Sequence, residues 1–505
     1  MIATFNDVKG RVRVEAEAVV VGSGAGGAPA AHRLASAGKS VILVEEGSYV
    51  KPEEFTTDFM TAMRRLYRDN GMRAMVGSML IPTMQARVVG GTTVVNSAIC
   101  FRLPDDVLAE WVEAERLQGL SPEVLAPLFD QVEQMTNISV EPDEVLGRNN
   151  LLLRDACARL SWRGEKAARN SRDCKGCGVC MSGCTEGAKM STDRTYVPAF
   201  LERGGALYTD CRIEEILVEN GRARGVRGTF IDPRTLAPSS KTLEVRAKAV
   251  VLSGGTMGTP VLLQKNNNLA NSSGQVGRNL VNHTATGMTG FFDEEVRAWE
   301  GVNQGYCCVE FRRSGFLIEV FWASPDVIGI RLPGFGLRHK EMMARLAHIA
   351  GWGAMIRAKS TGRVIASKKS WSPAIRYSMN QRDARLMQLA MKATADLLFA
   401  GGARFVCPGI NKVPSELHRP QDTRLIMDAD LRPTDFNPIG NHPLGTCRMS
   451  EDPKRGVVNS RGETHDVHGL YIADGSIFPN APGVNPQVTI MALGALIGGY
   501  VAESL

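Results

Sequence analysis

At 505 residues the chain is long enough for two or more domains and a large core. Its 44% hydrophobic and 22% charged content is that of a globular protein, and the net charge of +6 is scattered, without the Lys/Arg tract that would argue for nucleic acid. No apolar run reaches the length of a membrane span, and the opening MIATFNDVKGRVRVEAEA has no apolar signal-peptide core, so a cytoplasmic protein is expected, with docking at a membrane surface left open. The 11 cysteines are an odd number with four crowded into Cys174–Cys184, which points to thiols or metal ligands rather than a disulfide framework.

The first organised stretch, Val19–Gly47, reads as strand, Gly-rich turn, helix and strand. Gly22, Gly24 and Gly27 make G-x-G-x-x-G, the helix pattern stops at Gly38, and Val41–Val44 is a buried strand with Glu45 at its end. In such a unit the first glycine permits the tight turn and the second lets backbone N–H groups approach a pyrophosphate. The third lets helix and strand pack closely, and the terminal acid accepts ribose hydroxyls. The stretch therefore predicts a dinucleotide-binding unit.

Residues 50–86 are Met-rich, read either as adaptable core packing or as a substrate-access loop. In Arg87-Val-Val-Gly-Gly-Thr-Thr-Val-Val-Asn96, Gly90 and Gly91 break an apolar run that ends at the amide of Asn96, as a second backbone approach to a ligand would. Amphipathic helices are expected over Ala109–Leu117 and Pro122–Met135, and a short helix over Thr192–Arg203, interrupted at Pro198. Strands follow at Ala206–Thr209, Ile213–Glu219, Ala223–Phe230, Leu243–Arg246 and Ala247–Ser253, then a short helix over Val261–Lys265. Val302–Trp322 alternates like an antiparallel sheet, and helices are read over Lys340–Ala358 and Arg382–Ala400.

Near the C-terminus, Asn441-His442-Pro443 holds a histidine in a loop. The strand Gly469–Ala473 and the turn Asp474-Gly475-Ser476 follow, then Pro482-Gly483-Val484-Asn485-Pro486 and an apolar helix over Val488–Ile497. A helix starting just after Asn485 presents its unpaired N–H groups to whatever lies there. An imidazole can accept a hydroxyl proton as hydride leaves carbon, and an amide can orient the same oxygen.

Together these segments resemble the glucose–methanol–choline oxidoreductases, FAD-dependent alcohol oxidases and dehydrogenases. VVVGSGAGG with VILVEEG is similar to that family's FAD fingerprint, and ARVVGGTTVVN to its second flavin-contacting segment. SGGTMGTPVLL, VGRNLVNH, NHPLGTCRM and GLYIADGSIFPNAPGVNPQVTIMALG resemble later family segments in the right order. The resemblance weakens over about 285–415, where the substrate domain would lie. It implies an α/β fold, with a Rossmann-like FAD domain and a discontinuous α+β cap. The FAD domain would comprise 1–105, 190–285 and 430–505, with a helical and Cys-rich insert at 106–189 and a substrate domain at 286–429. It implies that Gly22, Gly24, Gly27 and Glu45 hold the ADP half of FAD, and that Gly90, Gly91 and Asn96 sit by the pyrophosphate and isoalloxazine. Asp474 and Gly475 would meet the ribityl and phosphate part. His442 becomes the active-site base and Asn485 its partner. Members that bind FAD covalently use a His just before the Asn of the second segment. That position is Val95 here, so FAD is expected to be non-covalent.

Cys174, Cys177, Cys180 and Cys184 have the spacing C-x2-C-x2-C-x3-C of bacterial ferredoxins. Three readings stand: an iron–sulfur cluster of four or three irons, a structural zinc, and a metal-free turn-rich loop. The surrounding segment also resembles one in family branches that oxidise long-chain alcohols. The expected function is oxidation of an alcohol CH–OH group by hydride transfer to FAD. Electrons would leave through a cluster if one is present, towards a protein acceptor or a quinone. The alternatives are a non-redox lyase of the hydroxynitrile type and an electron-transfer or redox-sensing flavoprotein.

Overall fold

The computed structural model describes residues 1–321 and 324–505. Strand β1 (Arg11–Val21) is half exposed at its start and fully buried over Ala18–Val20. It feeds helix α1 (Gly27–Ser36), which buries Ala28, Ala31 and Leu34 before Gly38 turns the chain at a φ of +78°. Strand β2 (Val41–Val44) is buried throughout and lies parallel to β1. The sheet is completed by β3 (Ala206–Tyr208), β4 (Cys211–Glu219), β5 (Arg222–Ile231) and β6 (Pro238–Leu252). Its order is Ile2–Ala3, β3, β2, β1, β6, β5, β4. The two strands expected at Leu243–Arg246 and Ala247–Ser253 are one 15-residue strand. Its first half pairs with β5, while its end pairs in parallel with Leu470–Ile472, so β6 stitches the C-terminal segment into the sheet.

Helix α2 (Gly255–Lys265) begins earlier than the expected Val261. The helix expected over Thr192–Arg203 is Tyr196–Glu202, with Pro198 in its first turn, where no N–H partner is lost.

A second sheet is antiparallel. Its main strands are β7 (Val281–Phe291), β8 (Phe316–Val320) and β9 (Ile349–Arg357), in the order Phe405–Cys407, β7, β9, β8, Tyr306–Cys308, Gly164–Lys166. β7 runs straight through the domain boundary expected at 285, and Gly164–Lys166 of the expected insert joins this sheet. Helix α3 (Gln381–Gly401) packs Met387, Met391 and Leu398 into one core with Trp352 and Ile318.

The helix expected over Lys340–Ala358 ends at Ala344, and its second half is β9. β9 is buried on both faces, which removes the alternation by which a strand is recognised. The alternation read over Val302–Trp322 resolves into Tyr306–Cys308 and β8, while Trp322 lies outside the described residues. No helix among the described residues is long and apolar enough to cross a membrane.

Candidate active site

The C-terminal ends of β1 and β6 open side by side, the place where open α/β sheets bind ligands. The Gly22 N–H donates to Val44 O at 2.7 Å, and the Ser253 N–H to Val21 O at 2.7 Å. Gly22 has a φ of +103°, and a Cβ there would fall on the Ser253 carbonyl. A Cβ at Gly27 would fall on Gly22 O, so the close packing expected of this glycine is realised. Gly26 is packed as tightly against the Ala473 carbonyl, and Gly494 of helix α4 (Gln487–Ser504) against the backbone of Gly26. The fingerprint turn is thus clamped from the C-terminal end of the chain.

A cavity of about 610 Å³ starts at this turn and runs to the second sheet. Gly22, Gly24, Glu45, Gly91, Asn96, His442, Asp474, Gly475 and Asn485, all expected in the site, line it together. Gly27 and Gly90 stand behind the wall. The Gly90 N–H donates to Ser23 Oγ at 2.9 Å, which brings the second glycine segment onto the first. Of the Met-rich stretch, Met63 and Met84 line the cavity, Met75 is core, and Met60 and Met72 are exposed.

Several of these side chains already carry protein hydrogen bonds. Glu45 accepts from Ser23 N and Oγ at 2.9 and 2.8 Å and from Gly47 N at 2.9 Å, so part of its carboxylate braces the turn. Burial raises its proton affinity. Asp474 accepts from Gly255 N, Thr259 Oγ1 and Ser476 N, tying the start of α2 to the C-terminal strand. Asn96 donates to Gln487 Oε1 at 2.8 Å and accepts from Ala98 N at 3.0 Å.

His442 is placed by sheet register. Pro443–Leu444 pairs antiparallel with the start of β7, Asn282 opposite Pro443, so the next pair is His283 opposite His442. Their Nδ1 atoms are 3.2 Å apart and the rings meet edge to face. The Gly483 N–H donates to His283 Nε2 at 2.8 Å. A backbone N–H can only donate, so neutral His283 carries its hydrogen on Nδ1 and donates it to His442 Nδ1. Neutral His442 then carries its own hydrogen on Nε2. Burial lowers the pKa of His442 to about 4 and that of His283 well below its ordinary value, so both rings are neutral at pH 7.

Asn485 stands just before α4, whose first N–H groups have no intrahelical partner. Beside it lies Glu319 of β8, which accepts from Gln304 Nε2 at 2.8 Å. Burial raises the pKa of Glu319 to about 7, while the side chains of Gln304 and Asn485 hold it down. Residue-by-residue reading missed His283 and Glu319. The signal for His283 was the final residue of VGRNLVNH, and for Glu319 a lone acid in the apolar run Phe-Leu-Ile-Glu-Val.

The cysteine cluster finds no support as a metal site. Cys174, Cys177, Cys180 and Cys184 surround one small cavity, and Gly176, Gly178 and Gly183 have the positive φ values of a tightly wrapped loop. That cavity measures about 10 Å³, room for no more than about one water. Among the described residues no group of three or more His, Cys, Asp or Glu side chains is arranged to hold a metal ion. Arg169 donates to Cys180 Sγ at 3.5 Å, and Lys189 donates to Cys180 O and Asn96 O. The residues as placed do not fit an iron–sulfur cluster or a zinc ion. Two cations, Arg169 and Lys189, hold the segment against the wall of the large cavity, with Ala98 lining both spaces.

The GMC oxidoreductase N-terminal family model matches residues 63–285 and its C-terminal counterpart 358–494, while an FAD binding domain model matches 17–58. An uncharacterised GMC-type oxidoreductase of Mycobacterium tuberculosis is 35% identical over 480 residues, 95% of this chain and 74% of that protein. The long-chain-alcohol oxidase FAO3 of Arabidopsis thaliana is 28% identical over 533 residues, 98% of this chain and 69% of that one. Among solved structures, pyridoxine 4-oxidase from Mesorbium loti superposes with a TM-score of 0.71 at 17% identity, covering 96% of this chain and 98% of that one. The chain therefore belongs to the GMC oxidoreductase family, with its mixed α/β fold, FAD-binding domain and sheet-rich cap. The glycine cradle and the cavity that joins it to the second sheet fit FAD, the family's cofactor.

Proposed function

We propose that the protein oxidises the CH–OH group of an alcohol to a carbonyl. The observation that carries this reading is the neutral, half-buried His442, in one cavity with Asn485 and the glycine cradle. When bound, FAD supplies the acceptor for the hydride that leaves the carbinol carbon. His442 Nε2 takes the hydroxyl proton, and Asn485 orients the same oxygen. For Nε2 to accept a proton, the hydrogen of His442 must first sit on Nδ1, pointing at His283. His283 must then carry its own hydrogen on Nε2, where the Gly483 N–H now points. The base-competent form thus opens the His283–Gly483 contact.

The name of the Arabidopsis relative, a long-chain-alcohol oxidase, supports an alcohol as the class of substrate. The test is bleaching of the flavin by alcohols without air, in the wild type and in His442→Ala. The expected result is bleaching in the wild type and a loss of about 10²- to 10⁴-fold in the variant. Near-normal bleaching by His442→Ala would refute the assignment of the base. A wild-type flavin that no alcohol bleaches would refute the reaction class.

A further inference from the structure

Glu319 is an acidic side chain in the wall of the large cavity, on an otherwise apolar strand. It sits on β8 between Ile318 and Val320, opposite Gly353 of β9, and is only 7% exposed. One carboxyl oxygen, Oε2, accepts from Gln304. The other, Oε1, is buried without a hydrogen-bond partner, and so is Oδ1 of the neighbouring Asn485. Glu319, Gln304 and Asn485 all line the large cavity. Ionised, the Glu319 carboxylate keeps one lone-pair-bearing oxygen towards the cavity with no protein donor within hydrogen-bond distance, the Asn485 amide standing only near enough to lower its pKa, and buried acceptors of this kind are otherwise paired in folded proteins.

The geometry points to a polar subsite at Glu319 that takes a second hydrogen-bond donor of the substrate, a hydroxyl or an ammonium a few bonds from the reacting carbinol. This rests on the alcohol-oxidising reading above and narrows it. The reacting hydroxyl donates to Asn485 or gives its proton to His442, and the second group donates to Glu319 Oε1. A simple alkanol supplies the first donor and leaves the second acceptor desolvated and unpaired. Sites built to bond a polar group reject the analogue that lacks it far more strongly than apolar pockets sort one methylene from another. The Glu319 carboxylate accepts from a neutral hydroxyl as well as from a cation. The substrate class is then a diol or amino alcohol.

The experiment compares kcat/KM of the holoenzyme for 1-butanol, 1,2-butanediol, 1,3-butanediol and 2-aminobutan-1-ol, read as anaerobic flavin reduction. The expected result is that at least one difunctional alcohol exceeds 1-butanol by about tenfold or more. Glu319→Leu, which removes the acceptor, should collapse that ratio by about tenfold, mainly through KM. A wild-type ratio near one for every difunctional compound overturns the inference, and so does a variant that keeps the ratio. Flavin content and melting temperature report whether the variant folds, and the wild-type ratios decide alone if it does not. If no alcohol bleaches the flavin, the proposed reaction fails separately. The subsite is then read from ligand-induced changes in the oxidised flavin spectrum, with equal titration by 1-butanol and the difunctional compounds overturning it.

Discussion

His283 Nδ1 lies 3.2 Å from His442 Nδ1, and a single hydrogen serves both rings. Because Gly483 holds the far nitrogen of His283, that hydrogen belongs to His283 in the resting protein, and His442 shows an N–H rather than a lone pair to the cavity. The expected tautomers are Nδ1–H for His283 and Nε2–H for His442. Nitrogen-15 spectra of histidine-labelled holoenzyme, assigned by single substitutions, read this directly, and an Nε2–H form of His283 would contradict it. His283→Phe should keep its flavin and lower turnover by about tenfold, the scale of one lost hydrogen bond. An unchanged rate would show that the second ring does nothing for the first.

Acid stability should depend on His442. Its pKa is about 4 in the folded protein and about 6.5 in an unfolded chain. Between those values the unfolded state takes up a proton that the folded state refuses. The stabilisation is therefore complete above pH 6.5 and is lost as pH falls towards 4. The loss assigned to this ring reaches about 3 kcal/mol. Denaturant unfolding of wild type and His442→Asn at pH 7.5 and pH 5 should show a smaller loss in the variant. Equal losses would mean that the ring titrates normally.

Gly26→Ala should be more damaging than a surface glycine change. Its new methyl would fall on the Ala473 carbonyl, backbone that cannot swing aside. Overpacking of this kind costs about 1–3 kcal/mol, occasionally more. Here it should also cut flavin content, because the displaced turn is the cofactor's own. Gly499→Ala is the comparison, since it lies in helix α4 without a positive φ and only the Arg33 side chain, at 3.6 Å, comes near its Cβ position. Flavin absorbance per protein in the two variants checks the point.

The cysteine loop should be free of stoichiometric metal. Metal analysis of protein purified without air should give neither iron nor zinc, and Cys177→Ser, at an exposed thiol, should leave the flavin spectrum intact. Stoichiometric iron with absorbance bleached by dithionite would show that the loop rearranges around a cluster.

The Rossmann-like unit was legible because its parts are local: a Gly-rich turn, a helix closed by Gly38 and a short apolar strand are neighbours in the chain. His442 and Asn485 were legible only through motif order, since spacing alone leaves a histidine as easily structural as catalytic. The cap was harder. β9 has no polar face to reveal its period, so it read as the continuation of the helix before it. His283 and Glu319 escaped because their roles come from register, one opposite His442 and one opposite Gly353 across strands far apart in the chain. The cysteine spacing left three readings open for the converse reason. A short-range pattern suited to ligands is equally suited to a tight turn, and glycine at 176, 178 and 183 serves either.

The clamp on the fingerprint turn has a consequence for how the protein acquires its cofactor. Gly26, near the beginning of the chain, is boxed in by Ala473 and by Gly494 of the last helix, whose Gly498 one turn on seats against Ala30. A nascent chain that has emerged only through β6 has its nucleotide turn but lacks the far wall. A closed nucleotide turn therefore requires the segment from Ala473 to Gly498 to have packed against it, so the cofactor cradle is assembled from stretches far apart in the chain.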